Sequence, residues 1–268
     1  MTRTSGTKEW ADSNINIYYG CSHNCRYCYA KAMAKRFYRV FPLKDQLQMM
    51  LANWGRFLEI MEKYYVSDSW EEMILNRKAF EKGYGKRKGR IMYPTSHDIT
   101  PETIKNHITI LKKILIPGNE VLITSKPWLL CIHAIIHKLR PWKNQIQFRF
   151  TITSKNNKTL EYWEPHAPKF IERIQSLKLA FYANFKTSVS MEPFLDKDPL
   201  PLILEVAPYT TESIWLGKLN YKKTDFNSWP HIKKILKNLK FLPEEVKKKI
   251  RLKDSIKNLI KTHKGEIS

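Results

Sequence analysis

Cys21, Cys25 and Cys28 stand close together, spaced Cys-x3-Cys-x2-Cys within Gly20-Cys21-Ser22-His23-Asn24-Cys25-Arg26-Tyr27-Cys28-Tyr29-Ala30. The remaining cysteine, Cys131, is far away in sequence. Thiolates this close along a loop can converge on one soft metal centre. Three of them leave a coordination position open, as catalytic zinc sites do, and an open position is what a reactive centre needs. His23, between the first two cysteines, offers a fourth ligand and so the alternative of a zinc site. His133 and His137 lie one helical turn apart, but the Glu of a metalloprotease helix is missing and no third ligand accompanies them. They read as part of a structural helix, and Cys131 beside them as a small buried hydrophobe.

Periodicity supplies the elements that must hold the loop. Short β-like runs alternate with helical segments, the pattern of an α/β fold with a mainly parallel sheet. Strands are expected at 14–19, 89–94, 120–124, 147–153, 185–191 and 213–217, the first running directly into the cysteines. Helices are expected over 30–38, from Thr100-Pro101-Glu102 with Thr100 as N-cap, from near Pro127, and over 168–180. Six βα units with polar groups at the C-terminal strand ends fit a partial (β/α)6 barrel, by the logic of full βα barrels. Residues 40–88 read as a helical insertion and 225–268 as a basic helical C-terminal extension. No linker separates them, so the expectation is a single domain with its core at 9–220.

The cysteine loop, with aromatic Tyr27 before its last cysteine and a strand before its first, resembles that of the radical S-adenosylmethionine superfamily. Residues 16–36 are similar to its spore photoproduct lyase-like, DNA repair photolyase-related branch. Lys8-Glu9-Trp10-Ala11-Asp12 with Ala34-Lys35-Arg36-Phe37 also resembles a phage and bacterial branch. Trp163-Glu164-Pro165-His166-Ala167-Pro168, then Glu172-Arg173, is similar to a further element of the first branch. Ser190-Met191-Glu192-Pro193-Phe194-Leu195-Asp196 and Gly217-Lys218-Leu219-Asn220 resemble strand-end motifs shared across these groups.

The resemblance implies a barrel of radical SAM type and a [4Fe-4S] cluster on Cys21, Cys25 and Cys28, with S-adenosylmethionine on the fourth iron. It implies reductive cleavage to a 5′-deoxyadenosyl radical, driven by a reductant such as flavodoxin or ferredoxin, the cofactors carrying the hard chemistry. Tyr27 belongs to the cofactor site by the same resemblance. The polar turn Thr95-Ser96-His97-Asp98 would receive the methionine amino group through Ser96 and above all Asp98. Lys126 would meet the carboxylate, and Thr151, Glu192 and Asn220 would contact the cofactor or substrate, with Lys218 beside them. Spore photoproduct lyase has a hydrogen-donating cysteine where Tyr93-Pro94 stand here, so the resemblance does not extend to that reaction. Tyr93 and Tyr19 are the tyrosines that could relay a hydrogen atom instead.

The formal net charge is +22, from 47 Lys and Arg against 25 Asp and Glu. That balance points to a polyanionic partner such as nucleic acid, or to a lysine-rich composition, since charge governs association more than identity. It is spread along the chain and thickens in Lys247-Lys248-Lys249-Ile250-Arg251-Leu252-Lys253. No apolar run approaches the roughly 20 residues that cross a bilayer, and the first residues lack a signal-peptide stretch, so a cytoplasmic protein is expected. Three functions stay open: a radical enzyme acting on nucleic acid, one modifying a peptide or small molecule, and a non-catalytic, zinc-stabilised nucleic-acid-binding protein. The absence of a second cysteine cluster, of the kind many peptide-modifying relatives carry, weighs against the second.

Overall fold

Strands and helices alternate in the computed structural model, which describes residues 6–220 and 224–263. β1 (Ser13–Asn14), β2 (Tyr18–Tyr19), α1 (Tyr29–Arg36), α2 (Leu43–Ala52), α3 (Trp54–Lys63), β3 (Ile74–Leu75) and α4 (Arg77–Glu81) come first. Then follow β4 (Arg90–Tyr93), α5 (Ile104–Leu115), β5 (Glu120–Ser125), α6 (Leu129–Leu139), β6 (Ile146–Thr151), α7 (Asn157–Trp163) and α8 (Phe170–Tyr182). β7 (Lys186–Met191), α9 (Leu200–Val206), β8 (Ile214–Leu216), α10 (Trp229–Leu239), α11 (Glu244–Lys247), β9 (Ile250–Leu252) and α12 (Asp254–Thr262) complete the chain. Seven strands form one sheet in the order β1-β4-β5-β6-β7-β8-β9, parallel throughout. β2 and β3 make a separate antiparallel pair.

The period of two along the strands sorts the two faces of the sheet. Ile91, Ile123, Phe148, Phe150 and Val189 are fully buried in the core they share with Ile110 and Leu111 of α5, Ile132 and Ile135 of α6 and Leu177 of α8. The alternate positions are mixed: Met92 and Leu122 stand beside Thr124, Gln147, Arg149, Thr151, Ser188 and Ser190. One face of the sheet is therefore greasy and helix-covered, and the other is largely polar with an apolar patch at Met92 and Leu122.

Trp10, just before β1, shows how that polar face is shaped. Its indole packs with Met92 of β4 and Leu122 of β5, lies 4.6 Å from the Arg149 guanidinium of β6, and meets Trp215 of β8 edge-on at 5.8 Å. The Lys253 ammonium, just after β9, stands 4.2 Å from the same ring. At about 4.8 Å per strand, β4 and β8 would lie roughly 19 Å apart in a flat sheet, beyond the reach of one indole. The sheet curls around Trp10. Its edges, β1 and β9, do not pair with each other, so the curl stays open. Glu9 adds a side-chain strap toward the far edge, its carboxylate 2.9 Å from Lys253 Nζ.

The expected α/β architecture is present, with four differences. The single strand expected at 14–19 is two short ones, β1 in the main sheet and β2 paired with β3. The insertion is helical in α2, α3 and α4 but also supplies β3. The expected helix at Thr100 starts instead at Ile104 with Thr103 in the capping position, the Thr100 hydroxyl being spent on Thr103 at 3.0 Å. The C-terminal segment is not purely helical: β9 joins the sheet beside β8, and 264–268 of that segment lie outside the described residues. Among the described residues no helix is long and apolar enough to cross a membrane.

A buried histidine at the end of β4 couples the fold to pH. His97 Nε2 accepts the Ile17 N–H at 3.1 Å, so protonating it breaks that bond, and burial holds its pKa down to about 4. The unfolded chain takes up the proton from about pH 6.5 downward while the folded one waits until about pH 4. Stability carried by His97 is thus full above pH 6.5 and lost as pH falls through that window, by on the order of 3 kcal/mol. Urea unfolding at pH 7 and pH 5 should show the loss, and His97→Gln, which keeps an acceptor for Ile17, should reduce it.

Candidate functional site

The cysteine loop has its shape from both ends. Gly20 sits at φ +78°, and a Cβ there would stand 1.9 Å from the Glu72 carbonyl oxygen, so only glycine fits. Cys21 N–H donates to the Trp70 carbonyl at 2.7 Å, fixing the first cysteine to the insertion. Asn24, at φ +47°, turns the chain between the first two cysteines. At the other end Cys28 caps α1, its Sγ accepting the Lys31 N–H at 3.4 Å.

The middle of the loop is tied across to the segment after β6. Arg26 N–H donates to the Trp163 carbonyl at 2.8 Å. Tyr27 Oη donates to Glu164 Oε1, Glu164 Oε2 pairs with Arg173, and Thr153 Oγ1 adds a hydrogen bond to Oε1 at 3.0 Å. Glu164 and Arg173 side chains are both fully buried. Burial pushes the Glu164 carboxyl up, but Arg173 and Lys126 outweigh it and hold it below the usual range. Burial, reinforced by Glu164, keeps the Tyr27 phenol far above its ordinary pKa, hence neutral. The Glu-Pro and Glu-Arg residues singled out in the sequence therefore clamp the loop. Glu172, the neighbour of Arg173, caps α6 by accepting the Leu129 N–H at 2.8 Å.

A second knot joins three strand ends. Asp98 accepts from Ile99 N–H at 2.9 Å, from Lys126 N–H at 3.0 Å, from Ser125 Oγ, and from His23 Nδ1 at 3.1 Å. Burial works against its charge, but His23, then Lys126 and Ser125, hold the carboxyl well below the carboxylate range. The other nitrogen of His23 accepts from Trp128 Nε1 at 3.1 Å. Both ring nitrogens are spent inside the protein, which removes His23 as a fourth zinc ligand. Among the described residues no three His, Cys, Asp or Glu side chains form a grip for a single ion.

All the residues singled out as site residues line one cavity of 670 Å³ at the C-terminal ends of the strands. The loop contributes Cys21, Cys25, Cys28 and Tyr27; the ends of β4 and β5 contribute Ser96, Asp98 and Lys126. Thr151 of β6, Glu192 after β7, and Asn220 with Lys218 after β8 complete the set, Asn220 at the exposed rim. The cysteines are free thiols. Burial, then Asp98, pushes Cys21 up to about 12, and burial pushes Cys25 well above the usual thiol range, with Lys126 pulling against both shifts. Burial opposes the Lys126 charge, but Cys25, Glu164 and Asp98 keep it protonated. Its ammonium lies 5.8 Å from the Tyr27 ring. Metal binding at such thiols must release protons, and a fixed cation beside them eases that step.

Several placements differ from expectation. Asp98 borders the cavity with both oxygens already engaged by protein donors, so its part is to orient His23 and the Lys126 backbone rather than to wait for an ammonium. Tyr93 does not line the cavity: its hydroxyl stands 2.7 Å from His107 Nδ1, fully buried against α5. That geometry removes it as a hydrogen relay. Tyr19 faces a neighbouring, smaller cavity, its hydroxyl accepting from Asn76 Nδ2 at 3.1 Å. His133 and His137 are exposed on α6, and Cys131 is buried in the core.

Sequence reasoning missed Lys253. It lines the main cavity, nearly buried, bridging Glu9 at 2.9 Å and Glu192 at 3.5 Å. Burial raises the Glu192 pKa, with Lys253 opposing. The available signal was its position directly after Ile250-Arg251-Leu252, a strand end like the others, hidden in a run of lysines. Trp10, Tyr29 and Ser190 also line the cavity and were not singled out as site residues.

No family model matches the chain. It is 25% identical over 185 residues to the uncharacterized protein ORF301 of Acidianus two-tailed virus, covering 69% of this chain and 55% of that protein. The chain thus corresponds to about half the length of that relative. Among solved structures, a spore photoproduct lyase mutant with bound AdoMet and dinucleoside spore photoproduct overlaps 84% of this chain and 65% of its own. The identity is 14% and the TM-score 0.43.

Glu164→Ala should destabilise the protein by about 3–5 kcal/mol, because it leaves Arg173 buried without its counter-charge. Tyr27→Phe removes only one hydrogen bond to the same carboxylate and should cost about 1–3 kcal/mol. Urea unfolding of both variants checks the ranking; an E164A loss no larger than that of Y27F would show that the pair does not carry the loop.

Proposed function

We propose that the chain is a radical SAM enzyme, its curled sheet a partial (β/α)6 barrel of that type, acting on nucleic acid. What carries the reading is the donor set: three free thiols and the Lys126 cation border one cavity, while His23 is fully committed elsewhere. The donor set fits a four-iron cluster, which Cys21, Cys25 and Cys28 would hold through their thiolates. When bound, the cluster and S-adenosylmethionine would supply a reducing electron and a 5′-deoxyadenosyl radical.

The protein's own work is positioning. Glu164 and Arg173 hold Tyr27, and with it the loop between Cys25 and Cys28, at fixed height above the strand ends. Lys126 presents a cation to the cofactor carboxylate, and the turn carrying Ser96 presents acceptors to its amino group. Thr151, Glu192 and Asn220 line the remaining wall for cofactor or substrate. A one-electron reductant such as flavodoxin or ferredoxin is the partner this chemistry needs. The nucleic-acid part of the proposal rests on the charge of +22.

Anaerobic reconstitution tests the first part. The wild-type chain should bind about four irons and release 5′-deoxyadenosine only with reductant and S-adenosylmethionine. Cys21→Ala, Cys25→Ala and Cys28→Ala should each lose the iron, and Cys131→Ala should keep it. A colourless protein holding one zinc would replace the reading. For the second part, affinity for single-stranded DNA should fall linearly in log–log with salt, by about 0.7 per phosphate contacted. Absence of binding at low salt would remove nucleic acid as the substrate.

A further inference from the structure

The connections at the two ends of the parallel sheet differ in charge. Among the described residues, those leading into the strands (82–89, 116–119, 140–145, 183–185, 207–213 and 240–249) hold ten Lys and Arg against three carboxylates. Those on the cavity side (20–28, 94–103, 126–128, 152–169, 192–199, 217–220, 224–228 and 253) hold eight of each. The excess positive charge of the connections therefore lies wholly at the end away from the cysteines. Helix macrodipoles favour a cation in a last turn, which accounts for Lys112 and Lys113 of α5. That effect fades beyond the turn and does not reach the loops.

These cations are not consumed inside the protein. Lys88 before β4, Arg140 before β6, Lys240 after α10 and Lys248 before β9 are all exposed. None of the four forms an ion pair with any described residue. Phe241 stands among them, 86% exposed although Leu239 and Leu242 on either side are buried.

The backbone carrying them is held in place. Arg87 N–H donates to Asn119 Oδ1 at 2.7 Å and Asn119 Nδ2 to the Gly85 carbonyl at 3.1 Å, tying the entry of β4 to that of β5. Lys249 Nζ donates to the Ala207 carbonyl at 2.9 Å, tying the entry of β9 to that of β8. Lys247 Nζ donates to the Lys240 carbonyl at 3.1 Å and closes the turn that presents Phe241. From β4 to β9 there are five strand spacings, an arc of up to about 24 Å. Cations along such an arc track a phosphate backbone, and an exposed ring among them offers a base a stacking partner.

We infer that the strand-entry end of the sheet is a docking face for single-stranded nucleic acid, with phosphates on Lys88, Arg140 and Lys248 and a base on Phe241. The six-residue strands put this face about 20 Å from the cavity. Holding the polyanion and doing chemistry are then tasks of opposite ends of one sheet. That the face recruits a substrate rests on the proposed function; that it binds nucleic acid does not.

Fluorescence anisotropy of a labelled fifteen-residue oligothymidylate, titrated with the full chain without iron over a range of salt, is the test. The triple variant Lys88→Glu, Arg140→Glu and Lys248→Glu should weaken binding at least 30-fold near 0.1 M salt and lower the log–log salt slope by about 2. Lys158→Glu, Lys169→Glu and Lys197→Glu make the same charge change with exposed lysines on the cavity side, and should change affinity about 2-fold or less. Phe241→Ala should weaken the oligothymidylate about 5-fold or more and leave an abasic oligomer of equal length unchanged. Urea unfolding of each variant confirms that it is folded.

Equal losses from the two triple variants would overturn the inference, since net charge alone would then explain binding. So would loss confined to the cavity-side variant, which would leave nucleic acid standing as the substrate. Equal effects of F241A on both oligomers, or binding to phosphatidylserine vesicles but not to the oligomer, would also overturn it. The readout needs neither cluster nor turnover, so failure of iron reconstitution leaves the docking face standing.

Discussion

The buried contact of Glu164 with Arg173 is the constraint on which the site depends. Taking two charges out of water costs several kcal/mol per ion, and only close pairing with every remaining lone pair occupied offsets it. Here Thr153 and Tyr27 occupy the remaining carboxylate positions, and the Arg173 Nε donates to the Pro168 carbonyl at 2.8 Å. A network that complete has one geometry. Tyr27 is a member of it, so the cysteine loop inherits that geometry. The Cys21 and Arg26 N–H groups, and His23 through Asp98 and Trp128, hold the rest of the loop.

Asp98 does for the strand ends what Glu164 does for the loop. One carboxylate joins the turn after β4, the end of β5 and His23 of the loop. Lys126, whose charge helps hold Asp98 ionised, projects from the same junction toward the cysteines. Two buried carboxylates, each saturated by protein donors, thus fix the thiols and the nearest cation relative to one another. The curl of the sheet around Trp10 gathers the other strand ends, and Lys253 brings the C-terminal strand into the same cavity beside Glu192 and the N-terminal Glu9.

Much of this was legible in the chain. The central strands read correctly because both faces of β5 and β6 are shielded, giving unbroken runs such as Val121-Leu122-Ile123. The cysteine spacing and the polar residues at strand ends marked residues that line a single cavity. Short elements were harder. β1 and β2 are two residues each, and nothing local distinguishes them from one strand of six, because β2 exists only through its pairing with β3. β9 was invisible for a different reason: Ile250-Arg251-Leu252 lies among lysines and gains strand character only beside β8.

By itself the sequence determined which groups could do chemistry, since three thiols spaced along one loop must lie near one another whatever the fold. It also determined the alternation of elements, because apolar period is a local property. Only the tertiary structure decided what those groups are free to do. Asp98 and His23 look available in sequence and are consumed in space, each by donors or acceptors from distant segments. Lys253 looks like one lysine among many, and burial against Trp10, Glu9 and Glu192 makes it part of the site. Availability of a polar group depends on its partners, and partners tens of residues apart are set by packing alone.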